Sequence, residues 1–173
     1  MKISGGMMQK ASLVIGLALL SGCATHYAPP TSGPTATVTF GASGIPMGAW
    51  VLVQNYASER CEPSPNGTRL ATFTTTAVQG KGDPHAGVSR AMPAGQPAVV
   101  TFAYQAGAAG FTDTAACTLT QAFVPEAGGK YRVSFVQSGT MCHVSVVRED
   151  GGALKPVPGA KAVNPVCVNQ ING

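Results

Sequence analysis

The chain has 173 residues, enough for one domain with a real hydrophobic core. Only 10% of its residues are charged, 11 Lys and Arg against 7 Asp and Glu, for a net charge of +4. So weak a field implies no strongly charged partner. The basic residues are scattered, with no basic run interleaved with aromatics, and this argues against nucleic acid.

Met1-Lys2 and Lys10 give the N-terminus a positive start, and Ala11 to Leu20 is an apolar stretch of about ten residues. That is too short to cross a bilayer core of about 30 Å as a helix. It has the length of the apolar part of a secretory signal. Leu20-Ser21-Gly22-Cys23 closes it. This order resembles a bacterial lipoprotein signal peptide with its lipobox. The resemblance implies that residues 1–22 are removed and that Cys23 becomes a multiply acylated first residue. Each buried CH₂ stabilises membrane association by about 0.8 kcal/mol, and a stable anchor needs more than one chain. In such lipoproteins an Asp after the cysteine often marks retention in the inner membrane. Ala24 therefore implies the outer membrane, with the domain facing the periplasm. Removing residues 1–22 from 173 leaves 151, and removing Lys2 and Lys10 leaves nine basic against seven acidic side chains, a net +2.

Cys61, Cys117, Cys142 and Cys167 remain besides Cys23. An even number in an exported chain reads as two disulfides, because the compartment is oxidising. Four cysteines allow three pairings. Cys61–Cys117 with Cys142–Cys167 is favoured, since each bridge then closes within its own half and the last pins the C-terminal tail. No CxxC or CxxH spacing is present, so neither a metal nor another cofactor is expected.

Residues 23–35 hold the lipidated cysteine and a Pro-rich segment, Ala24 to Thr35, which reads as a flexible tether with His26 and Tyr27 solvated. Residues 36–173 read as one domain of short strands parted by Gly and Pro. Ala36 to Phe40 alternates as a half-buried strand. Ala49 to Tyr56 is apolar on both faces at first, and Arg69 to Thr75 is Thr-rich and β-prone. Ala98 to Tyr104 puts Val100, Phe102 and Tyr104 on one face, and Cys117 to Phe123 does the same with Cys117, Leu119 and Phe123. Lys130 to Val136 points Tyr131, Val133 and Phe135 inward. Met141 to Arg148 groups Cys142, Val144 and Val146. Gln137-Ser138-Gly139-Thr140 joins these last two strands as a hairpin. Glu149-Asp150-Gly151-Gly152 is a further turn, and Ala153 to Val157 returns as an edge strand that suits Pro156. The expected fold is all-β, an antiparallel sandwich or small barrel of about seven or eight strands, immunoglobulin- or transthyretin-like and disulfide-stabilised.

Two connections stand out. Gly80 to Arg90 belongs to a loop that reads as running on to Pro97, and Gln105 to Ala116 is Gly- and Ala-rich. Loops longer than about 12–15 residues are unusual unless functional or mobile. Lys81, Asp83, His85 and Arg90 make the first loop a candidate contact surface.

No catalytic pattern rises above chance. Ser89, His85 and Asp83 form a triad only on paper, without a G-x-S-x-G elbow. His143 alternates outward on its strand. Glu59 and Glu62 flank Cys61 in a loop, and Glu149 and Asp150 sit in a turn, so no acid–base pair stands on a rigid element. Trp50 and Tyr56 share one side of a strand, a stripe that reads as core before it reads as a ligand platform.

Phe123-Val124-Pro125-Glu126-Ala127-Gly128-Gly129-Lys130-Tyr131-Arg132-Val133, followed by Cys142-His143-Val144-Ser145-Val146, resembles the late hairpin of small uncharacterised proteobacterial β-sandwich lipoproteins. The resemblance covers about a fifth of the mature chain and carries over no catalytic residue. The reading is therefore a non-enzymatic envelope lipoprotein, held to the membrane through Cys23 and binding an envelope protein or the cell wall. The alternatives are an accessory lipoprotein of a secretion or transport assembly, an inhibitor of hydrolases, or a hydrolase. A net charge of +2 argues against an inhibitor of a basic lysozyme.

Overall fold

The computed structural model describes residues 27–60, 67–74, 87–107 and 115–164. They form ten strands: β1 (Thr35–Ser43), β2 (Trp50–Tyr56), β3 (Thr68–Thr74), β4 (Val88–Pro93), β5 (Ala98–Ala106), β6 (Ala115–Phe123), β7 (Lys130–Ser138), β8 (Met141–Asp150), β9 (Ala153–Pro156) and β10 (Lys161–Val163). A first sheet has the order β4-β1-β7-β8-β9 and a second the order β10-β6-β5-β2-β3. The two pack as a sandwich around one core.

Period-two alternation builds that core. Ala36, Val38, Phe40 and Ala42 of β1 point inward, as do Tyr131, Val133 and Phe135 of β7. Val51 and Val53 of β2, Leu70 and Phe73 of β3, and Val100, Phe102 and Tyr104 of β5 meet them from the other sheet. The Phe102 ring stacks on Phe135 at 6.0 Å and tilts against Phe40 at 6.5 Å, and Tyr104 stacks on Phe135 at 5.9 Å. Burying each such ring contributes about 1.5–3 kcal/mol. Seven consecutive residues of β5, Ala98 to Tyr104, are buried, so this strand is covered on both faces. On its outer face Val99 joins Tyr56 and Ala122 in a small second cluster, against which Val163 of β10 packs. The buried hydroxyls of Thr101 and Thr120 satisfy each other at 2.8 Å.

Eight strands fall where the sequence reading places them, and two do not. β4 occupies part of the expected loop, and β10 lies in the tail. β4 escapes a pattern reading because only Met92 among its six residues is buried. One pair also departs from an all-antiparallel scheme, since β1 and β7 run parallel. The chain crosses between sheets from β4 to β5 and again from β6 to β7, so β7 returns beside β1 in the same direction. The Gly151-Gly152 turn joining β8 to β9 has φ of +56° and +88°, left-handed values that favour glycine at both positions.

The edges are guarded. β9 is short, exposed along its whole length, and carries Lys155 and Pro156, features that discourage strand addition. On the opposite side β3 and β4, edges of the two sheets, lie against each other. Arg90 of β4 donates from Nε to the Leu70 carbonyl of β3 at 2.9 Å.

Candidate functional site

Strand registers divide the sandwich into two ends. Thr35 pairs with Pro93, Lys130 with Glu149, and Tyr56 with Val99, which places these residues at the end where the chain enters β1. The other end carries the connections β1–β2 (44–49), β3–β4 (75–87), β5–β6 (107–114) and the β7–β8 hairpin. Both long connections singled out in the sequence therefore leave from this loop end. Met47 and Met141 stand there 77% and 73% exposed, the two most exposed large apolar side chains among the described residues.

The predicted residues of the contact loop separate. Lys81, Asp83 and His85 lie outside the described residues. Arg90 belongs to a strand and its guanidinium serves the β3–β4 seam, with Nη1 also donating to the Ser89 carbonyl at 3.3 Å. Ser89 shares a hydrogen bond with Thr39 Oγ1 at 2.9 Å on the outer face of the first sheet. His143 is exposed on β8 opposite Val136, as its alternation predicts. Trp50 and Tyr56 do share the outer side of β2. Tyr56 is buried in the second cluster and Trp50 is half-buried, so they form neither the main core nor an open platform.

Cys23, Cys61 and Cys167 are outside the described residues. Cys117 and Cys142 form a disulfide with each other, with Cα atoms 6.6 Å apart. The favoured pairing, Cys61–Cys117 with Cys142–Cys167, is thus corrected. Closure within each half of the sequence ignored layer packing. β6 and β8 belong to different sheets and face one another, so their inward cysteines meet across the sandwich.

A shallow groove of about 280 Å³ runs over the outer face of the first sheet, lined by Thr39, Gly41, Ser43, Arg132 and Ser134. A Cβ on Gly41 would meet only Ser134 Oγ, at 3.9 Å, so the glycine opens the groove and strain does not explain it. Arg132 donates from Nη2 to Glu149 Oε1 at 2.8 Å. A second cavity of about 250 Å³ opens between the sheets at the entry end, beside Asn55, Tyr56, Met92, Pro93 and Pro97. Among the described residues no group of His, Cys, Asp and Glu could hold a metal ion, and no helix is long and apolar enough to cross a membrane.

Sequence reasoning missed Tyr27. Its hydroxyl donates to the Ala91 carbonyl of β4, and its ring packs against the core. Pro34 accepts from the Ala94 N–H at 2.9 Å further along. From Tyr27 onward, then, the segment read as a free tether is tied to the sandwich. The only sequence signal was an aromatic in a Pro-rich stretch. No known family matches the sequence, and no characterised protein or solved structure is significantly similar to it.

Proposed function

We propose that this chain is an outer-membrane lipoprotein that faces the periplasm and binds an envelope partner, protein or cell wall, without catalysing a reaction. The anchor is Cys23, read from Leu20-Ser21-Gly22-Cys23. A Cys117–Cys142 disulfide suits an oxidising compartment. The observation that carries the binding role is that four connections leave the strands at the loop end, where Met47 and Met141 are exposed. A rigid sandwich presenting its loops at one end is a common arrangement for contact surfaces. Methionine, unbranched and polarizable, adapts to varied apolar partners.

Two measurements test this. Radiolabelled palmitate is expected on the wild-type chain and not on Cys23→Ser; label on the variant overturns the anchor. A photo-crosslinking residue at Met47 or Met141 is expected to capture an envelope component in cells, while the same probe at Ala127, exposed at the entry end, captures none. Equal capture from both ends overturns the loop-end assignment. A deletion meant to test the long loop should stop at residue 86, because Val88 onward is strand and Arg90 holds two sheets together.

A further inference from the structure

We propose that the β3–β4 edge of the sandwich is the face held against a bilayer with anionic headgroups. This rests on the lipid anchor at Cys23 and goes beyond it, because an anchor alone does not orient a domain. The orientation comes from Tyr27. Only Ala24, Thr25 and His26 separate it from Cys23. Four Cα steps reach at most about 14 Å when fully extended. Tyr27 itself is fixed by its hydroxyl on the Ala91 carbonyl of β4 and by its ring against the core. The acylated residue therefore cannot stray far from the β4 edge strand, and the membrane follows it there.

The chemistry of that edge fits. β3 and β4 contain Arg69 and Arg90 and no acidic residue. Arg69, Thr72 and Thr74 are exposed along β3. The opposite edge is balanced. Lys155 pairs with Asp150 at 2.6 Å, and Lys161 with Glu59 at 2.9 Å. Cations beside an anionic surface are attracted to it, within about a Debye length. A membrane over β3 would add cover to an edge that β4 guards from one side. The sandwich then lies on its side. Its loop end points along the membrane surface, where a partner held in the same membrane can reach it.

The test uses the acylated full-length product, purified from membranes and reconstituted in vesicles of phosphatidylethanolamine and phosphatidylglycerol. A benzophenone residue is placed at Thr72 or Thr74 of β3, or at Leu154 or Ala162 of β9 and β10, all exposed. Adducts with radiolabelled phospholipid are counted. Yields several-fold higher from the β3 positions are expected. Equal yields, or higher yields from Leu154 and Ala162, overturn the proposal. A flexible Gly-Ser insert of about ten residues between Ala24 and Tyr27 leaves the sandwich untouched and adds reach. It is expected to level the yields, and a difference that survives it overturns the argument from chain length. The two readings fail separately. A chain without palmitate at Cys23 overturns the anchor, whereas an acylated chain with adducts centred elsewhere overturns only the orientation.

Discussion

Tyr27, Tyr56 and Tyr104 share one electrostatic consequence of their positions. Burial raises the pKa of each above the ordinary value of 10.0, by disfavouring the phenolate. For Tyr27 the nearby Arg90 opposes this, and for Tyr56 the hydrogen bond with the Gly67 backbone does. The native state therefore holds these protons more tightly than the unfolded chain. The resulting stability is fully present below about pH 10 and is lost as pH rises through the folded pKa values. Alkaline titration followed by tyrosinate absorbance and circular dichroism is expected to show these tyrosines ionising late, together with loss of β-structure. Ionisation near pH 10 in an intact fold would contradict it. Gly44 gives a steric counterpart at the same scale. Its φ is +73°, and a Cβ there would lie 1.9 Å from the Gln137 carbonyl oxygen of β7. Gly44→Ala must strain its own backbone and displace β7, so a loss of more than about 2 kcal/mol is expected in urea unfolding. A change in midpoint within error would mean that the 44–49 connection is far looser than its contacts imply.

At the scale of elements, the Cys117–Cys142 bridge joins the layers near the loop end, beside the Tyr104–Cys117 and Gln137–Cys142 pairs. It closes a segment with a sequence separation of 25 residues. Chain entropy gives such a crosslink about 3–4 kcal/mol. The double variant Cys117→Ala/Cys142→Ala is expected to lose stability of that order while keeping its far-ultraviolet spectrum, because the aromatic row of Phe40, Phe102, Phe135 and Tyr104 still fills the core. An unchanged urea midpoint would mean that the packed layers alone fix this contact. The strands that could be read from the sequence are those whose inward residues are large. Val133 and Phe135 announce β7, and Val100 and Phe102 announce β5. β4 reads as loop because its inward side is Met92 alone and Arg90 serves a seam, a role with no periodic signature. β10 is too short for periodicity to register, and it forms only because β6 offers an unpaired edge. Tyr27 was illegible for a related reason. Its partner is a backbone carbonyl 64 positions away, and nothing local marks it.

For the whole molecule, pairing of the cysteines is the property sequence order describes least well, because it depends on which layers meet. The structure pairs Cys117 with Cys142, so among the four domain cysteines Cys61 and Cys167 are the two remaining. Their described neighbours already meet. Glu59, two positions before Cys61, holds Lys161 at 2.9 Å, and Val163, four positions before Cys167, packs against the cluster of Tyr56, Val99 and Ala122. In an oxidising compartment two thiols whose flanking chains are held together are expected to oxidise to a bridge. That bridge would close a loop of roughly a hundred residues, worth about 4–5 kcal/mol in the chain-entropy account. It would also tie the C-terminal tail to the β2–β3 connection at the entry end, keeping β10 on the edge of β6. Non-reducing peptide mapping of the protein is expected to give two linked peptide pairs, Cys117 with Cys142 and Cys61 with Cys167. Free thiols at Cys61 and Cys167, or Cys61 linked to Cys23, would refute the bridge, and the second result would also remove the thiol that the lipid anchor needs.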